Sequence, residues 1–421
     1  MRRTCLSLAL MVVMSASVAC WAADEGLGDP LNLTAVIAYA RQHNPEIRAA
    51  NARADAASAR PAQAGALPDP MLDLAYHDEG FERLRLGDTD FAFVKLGASQ
   101  ELPFPGKLGL KREIATREAA GTGEDARRVE LDVVSRVKMA YADYAHLQVL
   151  LDLLRRNRDL LEKFARTAEA RYAVGEGIQQ DVLKAHVELS LLVDRETTLD
   201  QRRQSQVAQL NALLDRPPWE PLGAPEHPVV QSLTRSLEEF TDAAHGHAPE
   251  LKSADWRVAS GASSVALARR EFLPDFVLRA DYMYKSALLP EWEVGVGVKV
   301  PLYYATKQRA GVSEAVAGLA MAAAERDTMR RSVDYRVKDL YLKAQASERL
   351  ISLYLTTVVP QARLALESAT HAYEVGKVDF LTLLNSFTVM LEYEMRYHEE
   401  LANFQKAVAE LEAVSGVSVE E

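Results

Sequence analysis

The sequence has almost no cysteine. Of its 421 residues only two are Cys, and both, Cys5 and Cys20, lie within the first 20 positions. The remainder of the chain can therefore form no disulfide framework, no thiolate metal site and no cysteine nucleophile. Hydrophobic residues make up 48% of the chain, which is enough to bury a large core.

Long apolar runs are also missing. Beyond the first segment no stretch offers 18 uninterrupted apolar residues, so the sequence predicts no transmembrane helix. This does not exclude a membrane role, because barrel strands alternate apolar and polar residues and give a much weaker signal.

Positive charge is not in excess. The chain has 49 Lys and Arg against 60 Asp and Glu, a formal net charge of −11. That balance argues against a nucleic-acid partner and is compatible with cation traffic. There is no Gly-rich phosphate loop and no nucleophile motif. We therefore predict that the chain is not an enzyme and binds no cofactor.

Metal-binding residues are few and scattered. Nine His are present, and only His245 and His247 form a close pair. In a polar linker such a pair is more often solvated than a ligand. Four methionines on predicted helices are better explained as packing residues than as a soft-metal ladder: Met321, Met329, Met390 and Met395. We predict no metal site.

The first 22 residues have the pattern of a secretory signal peptide. Arg2 and Arg3 precede an apolar run, and small residues lead to a predicted cleavage after Ala22. The alternative is lipid attachment at Cys20, although Ser17 stands where a lipobox usually carries Leu. Either reading predicts export across an inner membrane.

The remainder of the chain consists of two similar halves, an internal repeat. The matching segments, in one order, are His43–Arg48 with His247–Lys252, Leu67–Pro70 with Leu273–Phe276, Leu102-Pro103 with Val300-Pro301, and Val174-Gly175 with Val375-Gly376. We therefore predict a first structural repeat over 23–216 and a second over 245–421. The stretch 217–244 between them carries five prolines and is predicted to be a linker.

Each Val-Gly pair lies between long segments that favour helix. Neither Gly nor Pro occurs from Glu124 to Val174, or from Ile178 to Arg216. Leu150, Leu154 and Leu161 belong to one apolar stripe at helical spacing. This pattern predicts a long antiparallel helical hairpin in each repeat, with its tip at 174–177 or 375–378. Glycine supplies the left-handed backbone that ends a helix.

Before each helical hairpin the pattern changes to a period of two, which predicts β-hairpins at about 71–102 and about 276–301. In the second one the expected lipid-facing residues are Leu278, Ala280, Tyr282, Val294, Val296 and Val298. The residues expected to face a lumen are Arg279, Asp281, Glu293 and Lys299. Alternation alone fits two soluble hairpins packed on a helix equally well.

The number of strands limits these alternatives. Two hairpins supply four strands, whereas the smallest membrane barrel has about eight, and an open sheet in lipid leaves backbone groups unpaired. The chain must therefore be soluble or close a barrel by oligomerising. Three copies would give twelve strands.

The duplicated plan, the opening Asn44-Pro45-Glu46, the segment Leu67–Pro70 and the Val-Gly tips resemble the TolC-like outer-membrane factors of tripartite efflux systems. The segment Gln100–Leu108 resembles the branch that serves heavy-metal cation exporters, the CzcC-like proteins. The resemblance extends over essentially the whole chain after the signal peptide.

This resemblance implies a fold that is mainly α with membrane β. Long antiparallel helical hairpins form an α-barrel in the periplasm, continuous with a 12-stranded β-barrel built from four strands per chain of a homotrimer. The β-barrel lies in the lipid of the cell outer membrane. The helical tips bind a periplasmic membrane-fusion adaptor, which joins an inner-membrane pump.

The implied function is an exit duct of a resistance-nodulation-division type efflux system that exports heavy-metal cations. One alternative is an outer-membrane channel for drugs, organic compounds or type I secretion. An alternative of another class is a periplasmic coiled-coil adaptor or scaffold without a pore. Adaptors normally carry one helical hairpin, and two hairpins alternating with two amphipathic strand pairs favour the duct.

Two sets of site residues follow from the resemblance. The residues expected to bind the adaptor are Val174, Gly175, Val375 and Gly376. The residues expected to close the periplasmic gate are Asp181, Tyr373, Glu374 and Asp379. Asp181 and Tyr373 match family positions, whereas Glu374 and Asp379 stand in because Thr382 and Asn385 occupy positions that are acidic in relatives. The ordinary alternatives are that the tip glycines simply end helices, and that Tyr373 and Asp181 are surface residues of a helix end.

Overall fold

The computed structural model describes residues 27–78, 89–226 and 232–417. The predicted signal peptide and Cys20 lie outside these ranges. The first half contains α1 Leu33–His43, α2 Pro45–Ala64, β1 Met71–His77, β2 Phe93–Leu102, α3 Lys107–Ala173 and α4 Gln179–Leu213. The second half contains α5 Leu237–His247, α6 Pro249–Arg270, β3 Asp275–Tyr284, β4 Glu291–Lys299, α7 Gln308–Leu353, α8 Val359–Glu374 and α9 Phe380–Ser415.

The segment before each β-hairpin is a pair of helices, α1 and α2 in the first half and α5 and α6 in the second. Pro45 begins α2 and Pro249 begins α6, since proline fits the first turn of a helix but not its interior. The side chain of Asn44 accepts hydrogen bonds from the N–H groups of Glu46 at 2.8 Å and Ile47 at 3.2 Å. The repeated proline motif therefore marks a helix start.

Helix α3 is longer than the sequence pattern indicated. It comprises 67 residues, or roughly 100 Å, and it begins at Lys107 rather than near Glu124. It passes through three glycines, of which Gly121 packs against α6: a Cβ there would lie 3.5 Å from the Trp256 Cβ. Close packing between helices overrides the low helix propensity of glycine.

The predicted linker is partly helical. Helix α5 begins at Leu237, inside the range 217–244. Ser236 and Glu239 form a capping box in which each side chain accepts from the other residue's backbone N–H. Irregular structure in the linker therefore ends at Ser236 in the described part of the chain.

The long helical arm of the second half is interrupted where the first is continuous. Between α7 and α8, residues Tyr354–Val358 form a π-helical turn. It lies just before Pro360, which cannot donate a backbone hydrogen bond to the preceding turn. The two helical hairpins therefore differ halfway along their length.

The two helical hairpins pack side by side through α3 and α9. Leu161 on α3 and Leu383 on α9 are fully buried in their common core. Phe164 meets Phe387 edge to face, with ring centroids 6.1 Å apart. Helices α4 and α8 lie on the outer sides of this central pair.

The four strands form one antiparallel sheet in the order β1-β2-β3-β4. Leu278 is opposite Val296, and Ala280 is opposite Val294. Since directly paired residues share a face, the six residues expected to face lipid lie on one side of β3 and β4. Val294 and Val296 are 66% and 67% exposed, so the described part of the chain leaves that apolar face uncovered.

Within the described ranges, no helix combines the length with the apolar character needed to cross a membrane.

Candidate functional site: the paired helical tips

The tips that join the long helices have the same backbone conformation in both halves. We call Val174–Gly177 tip 1 and Val375–Val378 tip 2. Gly175 has φ 81° and Gly376 has φ 72°, the left-handed region that glycine adopts without strain. The N–H of Gly175 donates to the Tyr172 carbonyl at 3.1 Å, and that of Gly376 donates to the Tyr373 carbonyl at 3.0 Å. Both α3 and α8 thus end in a glycine cap.

The apolar residues of the tips are exposed. Val174 is 71% exposed and Val375 is 67% exposed, so each tip presents a large apolar side chain to solvent. Apolar groups displayed at the end of a hairpin, beyond its packed core, are available to a partner. This places both predicted docking valines where a second protein can reach them.

The two tip glycines have different surroundings. A Cβ on Gly175 would have no neighbour within 4 Å. A Cβ on Gly376 would lie 3.2 Å from Nη2 of Arg171. A side chain at position 175 would therefore project into open space. At position 376 the side chain of Arg171, which lies on the helix leading into tip 1, already occupies part of that space.

Arg171, which the sequence did not single out, connects the tips. Its Nη1 donates a hydrogen bond to the carbonyl of Tyr373, and its Cζ lies 5.0 Å from the centroid of the Tyr373 ring. Within the sequence the only signal is a mismatch between the repeats, because Ala372 stands at the position equivalent to Arg171.

Tyr373 is buried, unlike its counterpart in the first repeat. It is 5% exposed and packs against Phe380, with ring centroids 5.6 Å apart. Tyr172, the equivalent residue of tip 1, is 48% exposed. The tyrosine expected at the gate is therefore a packing residue between α8 and α9 as well.

Asp181 and Tyr373 are near one another but not bonded. Among the described residues, no hydrogen bond joins the Tyr373 hydroxyl to the Asp181 carboxylate. Burial raises the pKa of Tyr373, and the charge of Asp181 raises it further. The pKa of Asp181 is itself raised, first by burial and then by the charge of Asp379. Three of the four predicted gate residues therefore interact electrostatically.

Asp379 has a structural role in addition. Its Oδ1 accepts a hydrogen bond from the Thr382 N–H at 2.8 Å and caps α9. That hydrogen bonding lowers the pKa of Asp379. Glu374 is exposed and lies beside His371, with Nδ1 and Oε2 3.3 Å apart. Among the described residues, no hydrogen bond or ion pair joins Glu374 to the other gate residues. Asp379 caps α9 whether or not it also closes a gate.

The histidine pair does not form a metal centre with acidic neighbours. His245 and His247 lie in the last turn of α5, not in an irregular linker. The Nε2 of His245 lies 2.6 Å from Oδ1 of Asp334, an ordinary His–carboxylate contact. Across the described residues no group of three or more His, Cys, Asp and Glu is arranged to hold a metal ion.

Two curated relatives match the chain over most of its length. It is 24% identical to the pyoverdine export outer membrane protein OpmQ of Pseudomonas putida, over 91% of this chain and 86% of that protein. It is 22% identical to the cobalt-zinc-cadmium resistance protein CzcC of Cupriavidus metallidurans, over 99% of this chain and 100% of that protein.

The same fold occurs in solved structures. The outer membrane protein VceC of Vibrio cholerae superimposes with a TM-score of 0.78 at 22% identity, over 92% of this chain and 96% of that one. CusC, solved in a study of folding and transmembrane channel formation, superimposes with a TM-score of 0.77 at 16% identity, over 92% of each chain. These likenesses confirm the predicted fold class, helical hairpins joined to a channel-forming sheet.

The family of outer membrane efflux proteins matches residues 36–216 and 241–417, which include both long helical hairpins and the whole sheet. Its members are trimeric transport channels of the outer membrane that work with adaptor and pump partners. This chain, with its duplicated hairpins and paired Val-Gly tips, belongs to the outer membrane efflux protein family.

Proposed function

We propose that this chain is the outer-membrane exit duct of a tripartite efflux system of the resistance-nodulation-division type. Three copies close a 12-stranded β-barrel in the outer membrane and a helical barrel in the periplasm. The observation that carries this proposal is the four-stranded sheet, whose edge strands β1 and β4 each lack a second partner among the described residues and whose apolar face is exposed. Closing the sheet with other copies satisfies its edges.

The exposed apolar face decides which side of the sheet contacts lipid in this proposal. Leu278, Ala280, Tyr282, Val294, Val296 and Val298 contact lipid, and Arg279, Asp281, Glu293 and Lys299 face the lumen. On the polar side Lys95 forms an ion pair with Asp281, with Nζ 2.9 Å from Oδ2. Charged groups that pair inside a lumen avoid the high cost of burial in lipid.

The tips dock a periplasmic adaptor, through which the inner-membrane pump is reached. Val174 and Val375 supply apolar contact, and Gly175 and Gly376 allow a partner helix to approach the backbone closely. The acidic residues behind the tips, Asp181 and Asp379 with Glu374 beside them, line the resting gate together with Tyr373. Support for this arrangement comes from the exposure of both valines and the proximity of Asp181 to Tyr373.

We propose heavy-metal cations as the cargo. Support comes from the segment Gln100–Leu108 and from the relative named for cobalt, zinc and cadmium resistance, which the chain matches from end to end. The relative named for pyoverdine export has slightly higher identity, so export of an organic compound is the second candidate.

Two experiments test these proposals. Recovery of heat-resistant, detergent-dependent trimers from the outer membrane supports the duct, whereas a monomer in the osmotic-shock fraction would indicate a scaffold without a pore. A deletion strain decides the cargo. Sensitivity to zinc, cobalt or cadmium with unchanged drug tolerance supports metal export, and the reverse profile supports the organic candidate.

A further inference from the structure

The duplication of the chain is unequal at the tips. Arg171 and Tyr172 in the first repeat correspond to Ala372 and Tyr373 in the second. Only the tyrosine of the second repeat is buried, and only the first repeat supplies an arginine. Among the described residues, the arginine contact from the first repeat to the tyrosine of the second therefore has no equivalent in the reverse direction.

The backbone of Arg171 is hydrogen-bonded to tip 1. Its carbonyl accepts hydrogen bonds from the N–H groups of Glu176 at 2.9 Å and Gly177 at 3.1 Å. A Cβ on Gly177 would lie 3.0 Å from the Tyr172 nitrogen, so the turn closes tightly against this part of α3. Any shift of tip 1 must therefore carry the Arg171 backbone with it.

The side chain of Arg171 lies against tip 2 and the end of α8. Its guanidinium donates to the Tyr373 carbonyl, which also accepts from the Gly376 N–H, near the end of α8, where the helix dipole gives a partial negative charge. The absence of a side chain on Gly376 leaves room for the guanidinium, because Nη2 lies 3.2 Å from where a Cβ would be. A cation at a helix C-terminus is stabilising.

The same guanidinium also lies over the Tyr373 ring, at 5.0 Å from Cζ to the centroid. Stacking and the fork of N–H donors together require arginine, since lysine offers a point charge without a planar face. Tyr373 in turn packs on Phe380 at the start of α9. One side chain thus contacts both arms of the second hairpin directly or through a single residue.

We propose that Arg171 is a positioning residue that couples the two tips of one chain and holds them at a fixed separation in the resting state. This inference rests on the proposed duct, in which the tips surround the periplasmic opening. When Arg171 is lost, the second hairpin can move away from the first, and the periplasmic end opens more often.

A distance measurement tests the coupling directly. Val174→Cys and Val375→Cys place spin labels on two exposed positions in a chain whose own cysteines, Cys5 and Cys20, both lie in or beside the predicted signal peptide. Pulsed electron paramagnetic resonance on trimers diluted with unlabelled chains reports the separation within one chain. The parent pair should give a narrow distribution, and Arg171→Gln should broaden it.

Two further variants distinguish coupling from general damage. Arg166→Gln removes an exposed arginine from the same helix and should leave the distribution narrow. Arg171→Lys keeps the charge but not the stacking, and should restore part of the narrowing. An equally narrow distribution in Arg171→Gln would overturn the coupling, and equal broadening in Arg166→Gln would overturn the assignment to Arg171.

Channel recording gives the functional readout. Arg171→Gln removes one charge-assisted link from each of the three chains and should raise the population of open trimers at least about tenfold, seen in planar bilayers as higher mean conductance. Unchanged conductance alongside conducting wild-type trimers would overturn the inference and leave the duct standing. Wild-type protein that neither trimerises nor conducts would end the proposed duct, while the distance measurement on the single chain would still decide the coupling.

Discussion

The ammonium group of Lys107 donates a hydrogen bond to Oδ1 of Asp275 at 2.8 Å, although the two residues belong to different repeats. Lys107 begins α3 just after β2, and Asp275 begins β3 just after α6. Lys107 also donates to the Leu273 carbonyl at 3.0 Å, and Asp275 accepts from the Phe104 N–H at 2.8 Å. The β2–α3 junction and the α6–β3 junction are therefore hydrogen-bonded to each other.

This relationship gives a prediction for stability. Lys107 is 2% exposed, so Lys107→Met leaves a partly buried carboxylate without its partner, at a cost on the order of 3 kcal/mol. Purified trimers of the variant should dissociate at a lower temperature in detergent. The exposed Lys111, one turn further along α3, provides the control variant Lys111→Met. Equal dissociation temperatures for the two variants would show that the Lys107 pair contributes nothing to the junction.

The tips should tolerate bulk differently from each other. Gly175→Arg adds a charged side chain in open space at tip 1, so trimers should assemble while adaptor binding and resistance are lost. Gly175→Ala carries the same cost for its positive φ, about 1 kcal/mol, without the bulk, and should retain most resistance. Gly376→Arg would also displace Arg171 and should raise channel leakage in addition. Full resistance with Gly175→Arg would remove tip 1 from the docking surface.

The two faces of the sheet should differ in their tolerance of charge. Val296→Arg places a cation on the proposed lipid face at a cost of roughly 2–4 kcal/mol. Gly295 points to the opposite face, and a Cβ there would have no neighbour within 4 Å. Gly295→Arg should therefore assemble better than Val296→Arg, measured as trimer recovered from the outer membrane. Equal recovery would mean that the faces are reversed or that the sheet is not in lipid.

The gate prediction concerns Asp181 and Tyr373. The double variant Asp181→Ala with Tyr373→Phe should raise single-channel conductance, because it removes a charge and a hydroxyl from the resting constriction. Tyr373→Phe alone should change conductance little, since the Tyr373 hydroxyl does not bond to Asp181 in this conformation. Planar-bilayer recordings of the three purified trimers measure both effects. An unchanged double variant would take this pair out of the gate.

Acid should weaken the helical core through His146. Burial lowers the pKa of His146 from 6.5 to about 4, against the opposing charge of Asp143, and His398 and Lys406 lower it further. The pKa of His398 is lowered by burial in the same direction. Between pH 6.5 and 4 the unfolded chain thus binds more protons than the folded one, so stability falls as the pH falls through this window.

The expected size of this effect follows from the shift. At pH 4 the lowered pKa of His146 reduces the free energy of unfolding by roughly 3 kcal/mol per chain relative to neutral pH. The dissociation temperature of wild-type trimers should therefore drop between pH 7 and pH 4.5. His146→Gln, which cannot become charged, should show a smaller drop than the wild type. An identical drop in both proteins would assign the acid sensitivity to other groups.

Much of this architecture could be predicted because its signals are local. Helices α3 and α8 end next to the two Val-Gly pairs, as those pairs indicate, and the strands follow the alternation of period two. The start of α5 was missed, because the proline content indicated a linker there, although its capping box at Ser236 is an equally local signal. Local chemistry of this kind acts within a few residues of its cause.

What the sequence did not reveal depends on partners far along the chain. Helix α3 passes through Gly121 because α6 packs closely there, and nothing near Gly121 in sequence predicts that contact. Arg171 meets Tyr373 only when the two hairpins lie side by side. A buried tyrosine at one tip and an exposed one at the other have the same local sequence pattern, and tertiary packing alone separates them.

The pairing of β2 with β3 has a consequence for the symmetry of the proposed trimer. That pairing joins the two repeats within one chain, so the ring closes only if β4 of one chain pairs with β1 of the next. The sheet then passes through alternating internal and external seams, and the membrane end approximates a pseudo-sixfold ring of equivalent hairpins. At the opposite end Arg171 interacts across the internal seam, and Ala372, at the equivalent position of the second repeat, has no side chain that could make the same contact. The pseudo-sixfold symmetry of the proposed trimer is therefore reduced there to true threefold symmetry, and an adaptor docked as proposed would meet two chemically distinct kinds of groove in alternation.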